Sequence, residues 1–227
     1  MPTATMAYRH DPSRVDGACA RFATALLLAD ARFPAGGHAH SGGVEPACTT
    51  GAVTDLPSLE LFLRGRLQTS GVTAAGLAAA ACDSHANWAL LDAEADARMP
   101  SPAQRDASRR QGRALLRAVR ATWPRADYLE HLGRAPHHPI VLGAAAAAAG
   151  CPPEQAACIA AYQAVAGPAS AAVRLLGLDP IAVCAVVARI APEIDGICWE
   201  DLPFPSAPNL DLLAEVHMTA EVRLFES

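Results

Sequence analysis

The sequence predicts an all-α fold, a single compact helical domain of about eight to ten helices. Three observations carry this. Hydrophobic residues make up 52% of the chain but aromatics only 5%, and alanine and leucine supply most of the apolar material. Such small side chains let helix axes approach closely. Runs of Val, Ile, Thr and Tyr at strand period are nearly absent. Glycine and proline interrupt the apolar segments at helix-length intervals.

Taken in order, residues 1–18 are polar and aperiodic and read as a disordered N-terminal tail. Arg21–Asp30 reads as a first helix with an apolar centre. The segment Phe33–Gly43 holds four glycines and a proline in eleven residues, so it is a loop. Val44–Thr50 follows as a short helix. Asp55 caps the next helix with Pro57 in its first turn, and Leu59, Phe62, Leu63 and Leu67 share one face. Thr73–Arg98 is an Ala-rich helical stretch with a break near Ser84–Asn87. Ser101-Pro102 starts a helix that runs to Thr122 and stops before Pro124. His138–Ala149, Pro152–Ala166, Ala169–Leu176 and Pro180–Ala191 complete the main series, separated by Gly150, Gly167-Pro168 and Gly177, with Asp179-Pro180 repeating the cap-plus-proline start. Asp201–Pro208 carries three prolines and reads as extended. Asn209–Val216 forms a last short helix before the tail His217–Ser227. The domain reading is a disordered tail over 1–18, a helical domain over 19–208 and a partner-binding C-terminal tail over 209–227.

Composition narrows the function classes. The net charge is -5 and all 18 basic residues are arginine, a balance that points to neither nucleic acid nor an anionic membrane. Seven cysteines lie without a CxxC pair and read as reduced, buried thiols. Met1–Ala20 lacks a signal-type apolar core, and Ala144–Ala149 is too short to span a bilayer. A cytoplasmic protein is expected.

No reactive centre is legible. His38 and His40 stand at i, i+2 and His137 and His138 are adjacent, neither at the helical spacing of a zinc site. Ser41 lacks a nucleophile elbow. Gly36-Gly37 and Gly42-Gly43 do not form a phosphate-binding loop. No catalytic residue, metal ligand or cofactor is assigned. A stand-alone helical enzyme with a metal at these histidines, or a regulator binding a small ligand, stays open as an alternative, and the metal content of the purified protein separates the first from a binding protein.

Three features point to binding. Arg105, Arg109, Arg113, Arg117 and Arg120 recur at spacings that place them on one flank, an arc of about 120°. Such a flank either docks an acidic partner or is simply solvated. Leu224 and Phe225 are apolar where tails are normally polar, so they need a groove on this chain or on another. The loop of Phe33, Pro34, Gly36, Gly37, His38, His40, Ser41, Gly42 and Gly43 is expected to pack into an interface.

These segments resemble one family. Leu26–Glu45 looks like the opening helix and loop of the UreF urease accessory proteins. Ser108-Arg-Arg-Gln-Gly-Arg-Ala-Leu-Leu116 is similar to that family's Ser-x-x-Gln-Gly-x-x-Leu helix. His138–Gly143 is similar to its His-x-x-x-x-Gly segment, and Ser170–Leu176 to its Ser-Ala-x-x-Arg-Leu helix. His217 with Glu221-Val-Arg-Leu-Phe-Glu-Ser227 resembles the family's closing His…Arg-Leu-Phe-x-Ser. The matches run in order from Leu26 to Ser227. Two departures stand out: Gly177-Leu-Asp-Pro180 replaces a Gly-Gln segment, and His38 and His40 stand where many relatives have aromatics.

The resemblance implies an all-α, non-catalytic protein that dimerises, binds UreD (also called UreH) and recruits the GTPase UreG. That complex docks on urease apoprotein, where nickel is inserted. Its expected partner-binding residues are His217, Glu221, Arg223, Leu224, Phe225 and Ser227 of the tail, the loop residues named above with Glu45, and Arg109, Arg113 and Arg117. Arg174, in an otherwise apolar helix, is expected to form a buried or interfacial ion pair.

Overall fold

The computed structural model describes residues 22–34, 37–220 and 224–225, the side chain of His38 excepted. Ten α-helices and no extended strand occur among the described residues: α1 (Phe22–Ala29), α2 (Val44–Thr49), α3 (Leu56–Arg66), α4 (Val72–Ala80), α5 (Trp88–Ala97), α6 (Pro102–Thr122), α7 (His138–Ala148), α8 (Pro153–Leu176), α9 (Pro180–Asp195) and α10 (Pro208–Met218).

The capping residues read from sequence do their work. Asp55 accepts the Ser58 N–H at 2.9 Å, and the Ser58 hydroxyl accepts the Asp55 N–H in return. Ser101 accepts from Gln104 N–H at 3.2 Å and Asp179 from Ile181 N–H at 3.0 Å. Each satisfies an orphan donor of a first turn.

Helices α4 and α8 form the centre, packed along each other. Their opposite faces feed two cores. Leu77, Ala78, Ala156, Ile159 and Ala160 face the cluster with α1, α5, α6 and α7. Ala75, Ala79, Ala157, Ala161 and Val165 face the cluster with α2, α3 and α9. Alanine at the crossings is what lets these backbones come close. At Gly143 of α7 even a methyl group is too large, since a Cβ there would lie 2.2 Å from the Ala78 carbonyl oxygen.

Three departures from the sequence reading have physical causes. A π-helical turn, Leu67–Gly71, joins α3 to α4, so helical structure enters the Ala-rich stretch without a break. The hydroxyls of Thr69 and Ser70 bond back to Gly65 and Arg66 carbonyls in that turn, which supports the wider ring. A 3₁₀ segment, Asp127–Leu132, occupies a stretch for which the sequence reading names no element, its Leu129 and Leu132 buried. Most notably, Gly167-Pro168 does not end a helix: α8 runs through it as one 24-residue rod. Pro168 cannot donate to the Ala164 carbonyl, and the Arg66 Nε–H donates to that oxygen at 3.0 Å in its place. The rod is long and apolar enough to cross a membrane, yet 56% of its most apolar window is buried inside the fold.

After α9, Asp201 and Leu202 take positive φ and residues 203–207 run without regular secondary structure, with Arg98 donating to the Leu202 carbonyl and its guanidinium over the Phe204 ring. Helix α10 then packs on α6 and α2. Its Glu215 accepts the Ser101 hydroxyl at 2.5 Å and the Ala103 N–H at 3.0 Å, placing a carboxylate on the positive end of α6. These contacts hold the Glu215 carboxyl below its ordinary range, the Ser101 hydroxyl most of all.

Candidate functional site

Four segments remote in sequence meet at the chain's end. Glu45, in the first turn of α2, is 6% exposed. Its carboxylate accepts the backbone N–H of Leu224 at 2.7 Å and of Phe225 at 2.9 Å. His217, at the end of α10, lies with Nε2 at 3.1 Å from the Phe225 carbonyl and 3.6 Å from the Glu45 carboxylate. The Phe225 ring is buried in the second core, under the Arg174 guanidinium at 4.3 Å. Leu224 is 71% exposed. The arrangement is a clamp: one carboxylate holds two consecutive amides, one ring fills a pocket, and the neighbouring leucine faces outward.

The loop before α2 builds the approach. Gly42 has φ +60°, and a Cβ there would lie 2.8 Å from Pro168 Cγ and 3.1 Å from Arg66 Cζ. Only glycine fits both the left-handed backbone and the contact. Ser41, fully buried, accepts the Glu45 N–H from its hydroxyl at 3.4 Å. Gly43 also has positive φ and sits against Leu210 and Phe62.

The sequence-predicted residues therefore divide. Glu45, His217, Arg174, Leu224 and Phe225 come together. Phe33 is buried against Trp123, ring centroids 6.2 Å apart. Pro34 is exposed, and Gly37 and His40 line the adjoining cleft. Gly36, Glu221, Arg223 and Ser227 lie outside the described residues, as does the His38 side chain. Arg174 is exposed, and among the described residues its guanidinium lies over the Phe225 ring and forms no ion pair.

The arginine flank also divides. Arg113 and Arg117 are exposed, but Arg109 is turned inward. Its Nη1 donates to Asp92 at 2.9 Å and to the Ala135 carbonyl at 2.5 Å, and its Nη2 to Asp96 at 2.6 Å. His137, fully buried, donates its N–H to the other Asp92 oxygen at 2.8 Å. A carboxylate only accepts, so Nε2 of His137 donates to Asp96 at 2.9 Å, and Nδ1 accepts the Ser108 hydroxyl at 3.0 Å. Asp92, Asp96 and His137 are close enough to hold a metal ion. Every carboxylate oxygen, however, already accepts from Arg109 or His137, so a cation would have to displace a guanidinium. The network ties α5, α6 and the start of α7 together. Nothing in the sequence pattern linked Asp92 and Asp96 to it; their i, i+4 spacing on α5 was the available signal.

Two outcomes follow. Arg109→Ala leaves two carboxylates facing each other and is expected to lower stability by about 2 kcal/mol. Arg113→Ala or Arg117→Ala should change it by under about 0.5 kcal/mol, all read as shifts in urea midpoint. Burial, and secondarily His40, pushes the His138 imidazole down to about 4. Burial also lowers His137, against the opposing pull of Asp96. These rings are neutral in the folded state, so their contribution is present above about pH 6.5. It is lost as pH falls toward 4, by up to about 3 kcal/mol for His138. A stability–pH profile that stays flat from 7 to 4 would contradict this.

Fold and site together define an all-helical protein in which a buried carboxylate holds a chain segment. The comparisons make the family specific. The UreF family model matches residues 53–191. The chain is 47% identical over 207 residues to the urease accessory protein UreF of Mycobacterium sp. (strain JLS), covering 90% of this chain and 98% of that one. It is 44% identical over 211 residues to the UreF of Mycolicibacterium vanbaalenii (90% and 98%) and 43% identical over 198 residues to that of Mycobacterium tuberculosis strain H37Rv (86% and 93%). The chain belongs to the UreF family of urease accessory proteins.

Proposed function

We propose that this chain is a cytoplasmic, non-catalytic scaffold that joins UreD (UreH) and the GTPase UreG in the complex that inserts nickel into apo-urease, as a homodimer within that complex. Membership of the UreF family supports the assignment. The observation that carries the partner reading is the clamp: Phe225 is locked into the body while Leu224 stands 71% exposed beside it. Leu212 and Val216 of α10 are exposed as well, and exposed apolar side chains of this kind suit a partner such as UreD. The exposed pair Arg113 and Arg117 presents charge on a separate helix, suited to an acidic surface on UreG.

Co-purification with UreD and UreG, with urease activation as the functional readout, tests both surfaces. Removal of residues 220–227 is expected to abolish UreD capture while leaving helicity intact. Arg113→Glu with Arg117→Glu is expected to keep UreD but weaken UreG recruitment. Full UreD capture by the truncated chain would refute the tail's role, and undiminished UreG recruitment would return the arginines to a solvated face.

A further inference from the structure

We propose that Arg66 anchors a binding site for a small planar oxyanion, a carboxylate or bicarbonate, in the cleft beside the glycine-rich loop. The cleft encloses about 1410 Å³ between that loop, α6, α8 and the segment leading into α10, and Arg66 lines it with Ser70 and Gly42.

The argument begins from an unbalanced charge. Charges withdrawn from water are normally paired. Arg66 is partly buried, and no carboxylate among the described residues lies within ion-pair reach of it. Among the described residues the one hydrogen bond of its guanidinium is from Nε to the Ala164 carbonyl, at 3.0 Å. Burial lowers the guanidinium to about 10, with no neighbouring charge opposing the shift. The cleft as a whole repeats the imbalance. Among the described residues its lining carries Arg32, Arg66, Arg98 and Arg174 with Asp30 and Asp211; Arg32 pairs with Asp30 and Arg98 with Glu94, which leaves Arg66 and Arg174 against Asp211.

Geometry narrows the ligand. The Ala164 oxygen is the acceptor that Pro168 leaves without a donor, so the Nε bond fixes the guanidinium plane against α8. Gly42 packs against both this guanidinium and Pro168, a Cβ there lying 3.1 Å from Arg66 Cζ and 2.8 Å from Pro168 Cγ. Nη1 and Nη2 then remain as a parallel pair of donors with no described partner. Two oxygens of a planar carboxylate or bicarbonate match that fork.

The test uses the full-length chain. Sodium acetate and sodium bicarbonate are titrated against sodium chloride at constant ionic strength, following thermal stability and the line width of carboxyl-¹³C acetate. The expected result is a saturable rise in Tm and line broadening, half-complete in the millimolar range. Arg66→Met should lose both. Arg66→Lys, which keeps the charge but not the fork, should weaken binding by about tenfold and serves if the methionine variant does not fold. An equal response in the wild type and either variant, or no saturable response in the wild type, overturns the proposal.

Discussion

Gly143→Ala is expected to destabilise the fold by about 3 kcal/mol or more. The added methyl would lie 2.2 Å from the Ala78 carbonyl oxygen and 2.7 Å from the Ala81 Cβ. Neither neighbour is the end of a flexible chain. Both belong to α4 and the turn after it, so relief requires α4 and α7 to move apart. That separation would reach α8, which packs on both helices. Gly167→Ala is the natural control. It lies inside α8 with nothing within 4 Å of its would-be Cβ, and it should be neutral or stabilising by up to about 1 kcal/mol. Urea unfolding of the two variants with unchanged m-values separates the cases. Equal midpoints would mean that the α4–α7 crossing is far looser than the structure describes.

Glu45→Ala should release the chain's end. It removes the acceptor of two amide hydrogen bonds at once and leaves His217 without its nearby carboxylate. Charge-assisted bonds of this kind contribute about 1.5–3 kcal/mol each where water is excluded. The tail can leave, however, and satisfy its amides in water, so the loss should appear as detachment more than as global unfolding. Hydrogen exchange at the Leu224 and Phe225 amides is expected to rise to the rate of an unstructured peptide, with Tm falling only modestly. Glu45→Gln keeps one acceptor oxygen and should lie between. Retained protection of both amides in Glu45→Ala would show that Phe225 packing alone holds the tail.

Much of this was legible in the chain, for reasons that can be named. Caps and helix starts at Asp55, Ser101 and Asp179 rest on short-range chemistry and appear where their residues stand. The clamp was legible only as parts. Glu45, Arg174 and His217 were singled out through a family resemblance and Phe225 as an apolar residue in a tail, while their meeting depends on the paths of α2, α8 and α10. Arg109 misled because a helical wheel gives direction but not neighbours: it stands on the flank with Arg113 and Arg117, but α5 happens to pass beside its turn. Pro168 misled in the opposite sense. Its missing donor is a local fact, and the replacement donor, Arg66, comes from 102 positions earlier in the chain.

Glu215 has a consequence for how the tail can move. It stands two positions before His217, so the helix that grips the chain's end is also pinned to the first turn of α6. A ligand that draws Leu224 outward with modest force works against the link between α10 and Phe225 alone. Stronger traction is passed along α10 to Ser101 and Ala103, and would uncap the helix that carries Arg109, Arg113 and Arg117. The molecule thus resembles a drawstring with a knot in it: slack is taken up locally, and only a full pull is felt at the far flank.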